Sequence, residues 1–113
     1  MVNNKNYIPR KGDLVWLNFS PQSGHEQGGR RPALCISPET YNGKVGLAIF
    51  CPITSAVKNY PYETLLPDDI PVKGVILTDQ IKSMDWRSRE AQFIASLSPT
   101  CLSDVLAKIH TLI

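Results

Sequence analysis

The strongest constraint on the fold lies at the chain's end, where Leu102, Val105, Leu106, Ile109 and Leu112 recur at helical spacing along one face. Ser98 stands at the N-cap position and Pro99 at the first helical position, so the start of this amphipathic helix is marked as well as its apolar stripe. Everything before it reads as short β-rich runs between turn signals. A βαβ arrangement needs helices between its strands, and this chain keeps its clear helix for last. The pattern therefore predicts a mainly β fold: a small antiparallel, barrel-like sheet closed by a C-terminal helix.

The first run, Leu14-Val15-Trp16-Leu17-Asn18-Phe19, lies between Gly12-Asp13 and Ser20-Pro21, and its apolar content predicts burial along most of its length. A second strand is expected over 32–37. Asn42-Gly43 signals a tight turn into a long third strand, 45–54, paired back on the second. Pro52 interrupts that run and predicts an edge position or a bulge. Short strands follow at 62–66 and 74–78, a helical turn at 81–84 and an alternating run at 90–97. Residues 1–12 read as a loose polar lead-in. With 42% apolar and 19% charged residues, the 113-residue chain is expected to form one domain, 1–113, around one core.

Charge is nearly balanced, with twelve Lys/Arg against ten Asp/Glu and a net +2, so a nucleic-acid footprint must come from local clustering. The odd set Cys35, Cys51 and Cys101 contains no C-x-x-C pair, which argues against a disulfide framework and a zinc site. Cys35 and Cys51 sit in apolar runs and read as core thiols. The N-terminus lacks an apolar signal core, and no run approaches the ~18 apolar residues of a membrane span, which predicts a cytoplasmic protein with no membrane association.

One polar connection concentrates chemistry. Gly24-His25-Glu26-Gln27-Gly28-Gly29-Arg30-Arg31-Pro32 places an imidazole, a carboxylate and two guanidinium groups among glycines, just before an apolar strand. Arg31 can hold two phosphate oxygens in one fork, Glu26 can accept a proton, and His25 titrates near neutrality and can do either job. The competing reading is a solvated loop in which Glu26 pairs with an arginine for ~0–1 kcal/mol. Thr54, beside Ser55 at the end of the third strand, could add a hydroxyl donor or simply terminate the strand.

Absences narrow the chemistry. The carboxylates are scattered, with none of the convergent set a two-metal nuclease needs, and neither a phosphate-binding P-loop nor a G-x-S-x-G elbow occurs. No cofactor or metal is expected. RNA would supply its own nucleophile, the 2′-hydroxyl, leaving the protein to provide a base, positive donors and an acid. Arginine is a poor proton donor, its pKa lying above ~12, so charge stabilisation is the role expected of Arg31. A second cluster, Gln80, Lys82, Trp86, Arg87 and Arg89, could hold single-stranded bases; Trp86 could instead be partly buried or anchor a subunit interface.

With these residues in view, the chain resembles the MazF/PemK family of bacterial toxin endoribonucleases. The resemblance runs from Gly12-Asp13-Leu14-Val15-Trp16 through Gly24-His25-Glu26-Gln27 and Arg31-Pro32-Ala33. It continues over Ser37-Pro38, Tyr41-Asn42, Pro52-Ile53-Thr54 and Gly74-Val75 to Asp79-Gln80-Ile81-Lys82 and Trp86-Arg87. It implies an SH3-like barrel of the CcdB/PemK type and a homodimer. It also implies metal-independent, sequence-specific cleavage of single-stranded mRNA to 2′,3′-cyclic phosphate and 5′-hydroxyl ends, which inhibits translation. Further, it implies a type II antitoxin partner, MazE-like, whose acidic disordered tail occupies the RNA groove.

Residue by residue, Arg31 and Thr54 match the family's catalytic arginine and threonine, and Glu26 its acidic loop residue. His25 falls where members differ. Gln27, Arg30, Ser55, Gln80, Lys82 and Trp86 are the expected substrate contacts. PemK-like members use another arginine and an aspartate on a later strand, an Arg-x-Asp pattern this chain does not match. The alternative from another class is a non-catalytic poison of DNA gyrase like CcdB, acting through the terminal residues, here 110–113.

Overall fold

A computed structural model describes residues 6–19 and 29–113. Seven strands and two helices follow in order: β1 (Asp13–Phe19), β2 (Gly29–Cys35), α1 (Glu39–Val45), β3 (Leu47–Thr54), β4 (Glu63–Leu65), β5 (Val75–Leu77), β6 (Lys82–Asp85), β7 (Gln92–Ser96) and α2 (Pro99–His110). Every pairing is antiparallel, in the order β4-β5-β3-β2-β1-β7, with β6 also on β3. The curled, mainly β sheet with its closing helix is the architecture the sequence predicts. Ser98 accepts the Cys101 N–H at 3.2 Å, as an N-cap should.

The sheet buries both faces. Leu14, Leu34, Cys51 and Ile53 pack with Val105 and Ile109 of α2. Val15, Leu17, Ala33, Cys35, Ala48 and Phe50 lie in a second cluster with Met84 and Trp86. Consecutive strand residues face opposite sides, so a sheet covered on both needs apolar neighbours in sequence. That is why 14–17 reads as a continuous run. Each fully buried Leu or Phe contributes roughly 1.5–3 kcal/mol, so these two layers are the main force holding the sheet.

Several local expectations are corrected. Asn42-Gly43 lies inside α1 and makes no hairpin turn, because the Asn42 amide is buried and donates to the carbonyls of Pro9 at 2.8 Å and Ser37 at 3.0 Å. Gly46, at φ 84°, ends that helix instead. A Cβ at Gly43 would stand 3.0 Å from Ile8, so glycine there lets the lead-in pack close. The lead-in is accordingly not loose over its described part: Tyr7 donates to Asp13 at 2.6 Å, and Tyr7 and Ile8 pack on the second cluster.

Residues 82–85 form a strand in place of the helical turn expected at 81–84, since β6 completes the edge of β3 from Leu47 to Phe50. β3 lies inside the sheet, yet Pro52 occupies a local edge position on it. It faces Ala33 in β2 and falls between the β6 register, which ends at Phe50, and the β5 register, which begins at Ile53. A residue without an N–H fits that seam. Finally, β2 starts at Gly29, three positions ahead of the expected Pro32, and takes Arg30 and Arg31 out of the loop and into the sheet.

Candidate active site

Among the described residues the β1–β2 ladder extends to Phe19 opposite Gly29 and sets Leu17 opposite Arg31. On the other side, Ala33 faces Pro52. That ladder stops there, and Arg31 and Thr54 lie two residues beyond it on their respective strands. Both line one cleft of about 480 Å³, together with Trp16, Pro32, Ile53, Pro71, Val72 and Lys73. Ser55 and Arg30 also line it. The structure thus brings together two residues separated by 23 positions and expected to work on one phosphate.

Thr54 is held in a defined state. Its Oγ1 accepts the Ala56 N–H at 3.1 Å, which uses a lone pair and leaves the hydroxyl hydrogen to be donated. Behind it, Gly74 has φ +129°, and a Cβ there would overlap the Thr54 carbonyl oxygen and stand 2.9 Å from its carbonyl carbon. Only glycine lets the β5 end press this closely on Thr54. The loop beyond, 55–61, is tied to buried Glu63, whose carboxylate accepts the N–H groups of Lys58 and Asn59 at 2.9–3.2 Å.

The two arginines part ways because they are strand neighbours. Arg30 lies opposite Asn18 and donates to its Oδ1 at 2.6 Å, to the Glu90 carbonyl at 2.6 Å and to Gln92 at 3.2 Å. Those bonds make it a tie across β1, β2 and β7, while it stays exposed among the residues that line the cleft. Arg31, one residue on, takes the opposite side of the strand and is half-buried at the cleft.

The second expected cluster does not join the cleft. Gln80 and Lys82 are exposed but outside its lining, with Lys82 paired to Phe50. Trp86 corrects the base-stacking reading: it is 4% exposed, its indole donates to the Asn42 carbonyl at 3.0 Å, and the Arg87 guanidinium covers the ring at 4.9 Å. A ring so enclosed offers no face to a base. His25, Glu26 and Gln27 lie outside the described residues.

Sequence reasoning missed Lys73 and Glu63. Nothing in the sequence says that 66–74 folds over Thr54, and Glu63 reads as one more scattered carboxylate. The core thiols are as expected: Cys35 and Cys51 are buried, and burial pushes the Cys51 thiol up to about 12, which removes it as a nucleophile at neutral pH. Among the described residues no cluster of three or more His, Cys, Asp or Glu is placed to hold a metal. Likewise, no helix among them is long and apolar enough to cross a membrane.

Residues 10–113 match the family of PemK-like, MazF-like toxins of type II toxin–antitoxin systems. The chain is 43% identical over 107 residues to the endoribonuclease toxin MazF of Escherichia coli (strain K12), covering 95% of this chain and 96% of the relative. Two crystal structures from Deinococcus radiodurans superpose closely, each at 52% identity over 95% of this chain. A MazE–MazF complex gives a TM-score of 0.89 over 96% of its matched chain, and MazF alone gives 0.87 over 97%.

Proposed function

Since the chain belongs to the PemK-like, MazF-like toxin family, we propose that the Arg31–Thr54 cleft cleaves single-stranded mRNA through the ribose 2′-hydroxyl. The protein is a MazF-like endoribonuclease toxin of a toxin–antitoxin system. In the proposed reaction the 2′-oxygen forms a bond to the adjacent phosphorus and the bond from phosphorus to the 5′-oxygen breaks. The products are a 2′,3′-cyclic phosphate and a 5′-hydroxyl. Arg31 neutralises the charge gathering on the non-bridging oxygens, and the Thr54 hydroxyl donates to one of them. The proton leaving the 2′-hydroxyl passes to the Glu26–His25 pair, and the departing 5′-oxygen draws one from that pair.

The single observation that carries this reading is that Arg31 of β2 and Thr54 of β3 line one cleft of about 480 Å³. No step needs a metal. Ser55 and the 55–61 loop would contact the flanking nucleotides and, with residues 20–28, set the recognised motif. The antitoxin is MazE-like, and its acidic tail would take the place of RNA phosphates in the cleft. The toxin would act as a homodimer, as one domain over 1–113, in the cytoplasm where mRNA is translated. A CcdB-like poison of gyrase is not favoured, because the relatives matched are endoribonucleases and the chemistry gathers at β2 and β3, far in sequence from residues 110–113.

The test is incubation of the purified protein with a long single-stranded RNA in EDTA, followed by mapping of the fragment ends. Discrete cuts with cyclic phosphate ends are expected, and one deoxyribose 5′ of the scissile phosphate should block its cut. Intact RNA, or cutting of the deoxy substrate, would overturn the mechanism.

A further inference from the structure

The cleft holds a third cationic side chain, and its surroundings differ from those of Arg30. Lys73 sits between Val72, which is 7% exposed and part of the core, and Gly74, which presses on the Thr54 carbonyl. The Gly74 carbonyl also accepts the Leu66 N–H at 3.0 Å. The Lys73 backbone is therefore held from both sides while its side chain is exposed in the lining of the same cleft as Arg31. Among the described residues no carboxylate or carbonyl engages its ammonium, whereas Arg30 is spent on Asn18, Glu90 and Gln92 and Lys108 on Asp104. A strongly hydrated cation held at the rim of an anion-binding cleft, with no internal partner, is suited to a backbone phosphate.

We propose that Lys73 binds a second RNA phosphate, next to the scissile one, and so fixes how tightly the substrate backbone lies across the Arg31–Thr54 cleft. The inference rests on the ribonuclease reading above. A lysine supplies charge without a fork's fixed geometry, so its contribution goes to holding the strand and less to the phosphorane itself. Lys73 is exposed and Lys73→Met keeps most of its hydrocarbon stem, so the fold should survive the change.

The experiment measures binding of a fluorescein-labelled, fully 2′-O-methylated single-stranded RNA, which cannot be cut, to wild type, Lys73→Met and Lys73→Arg across a series of salt concentrations. Loss of one phosphate contact should lower the slope of log affinity against log salt by about 0.7 and weaken binding about fivefold at moderate salt. Lys73→Arg should regain both. With cleavable RNA, Lys73→Met should raise KM by a larger factor than it lowers kcat. A Lys73→Met slope and affinity equal to wild type would overturn the proposal. Wild type that binds the probe but leaves unmodified RNA intact would overturn the nuclease reading instead, and the slopes would still decide the role of Lys73.

Discussion

The indole nitrogen of Trp86 donates to the main-chain oxygen of Asn42 at 3.0 Å, joining the end of β6 to the middle of α1. Asn42 in turn holds Pro9 and Ser37, so one buried chain of hydrogen bonds links the lead-in, the helix and the sheet. Trp86→Phe should therefore lower the urea midpoint by an amount worth about 1–3 kcal/mol, from the lost donor and the space left behind. RNA affinity of the folded protein should stay within about twofold, since an aromatic base platform would otherwise be worth about 1–3 kcal/mol. An unchanged midpoint with weakened RNA binding would move the ring to the substrate.

Arg31→Ala should reduce single-turnover cleavage by about 10²–10³-fold with the circular-dichroism spectrum retained. Thr54→Val, which keeps the side chain's shape and removes its donor, should cost about 10-fold or more, and Thr54→Ser should recover most of it. Near-normal rates for Arg31→Ala would take the guanidinium out of the reaction.

Gly74→Ala tests whether the close approach behind Thr54 matters. The methyl group meets a backbone carbonyl at a left-handed φ, so strain of about 1–3 kcal/mol is expected together with displacement of Thr54. Cleavage should fall by a larger factor than the loss of stability explains, read from turnover at a temperature where the variant is fully folded. Full activity would show that Thr54 tolerates a shift.

Alkaline pH should unfold the protein through its buried acids. Burial raises the Cys51 thiol from 9.0 to about 12 and also raises Cys35 and Tyr7. A group raised in the folded state keeps its full stabilising effect below its unfolded value and loses it as pH climbs toward the folded one. The urea midpoint should therefore be level from pH 7 to about 9 and fall between about 9 and 12. Cys51→Ala, though less stable at neutrality, should show a shallower alkaline fall; an equal slope would assign the effect to Cys35 and Tyr7.

Much of this molecule can be read before it is seen, and the failures have physical causes. The helix over 99–110 is marked by a cap, a proline and an apolar stripe that all agree. Arg31 and Thr54 stand out in the sequence as candidates, but that they line one cleft depends on how the folded sheet brings β2 and β3 together. Asn42-Gly43 carried a strong hairpin signal, and a buried network around the Asn42 amide overrode it. Trp86 looked like a binding residue because a tryptophan between charges gives no sign of which way it turns. Lys73 gives no signal in the sequence because only the fold places it in the cleft lining.

Arg30 and Arg31 are consecutive, yet one fastens the sheet and the other arms it. Such a division of labour within a dipeptide is only as secure as the spacing of β2. Lengthening or shortening the chain outside β2 would leave both jobs in place. An insertion or deletion of one residue inside β2 would exchange the two arginines, unfastening the wall and disarming the site in a single event.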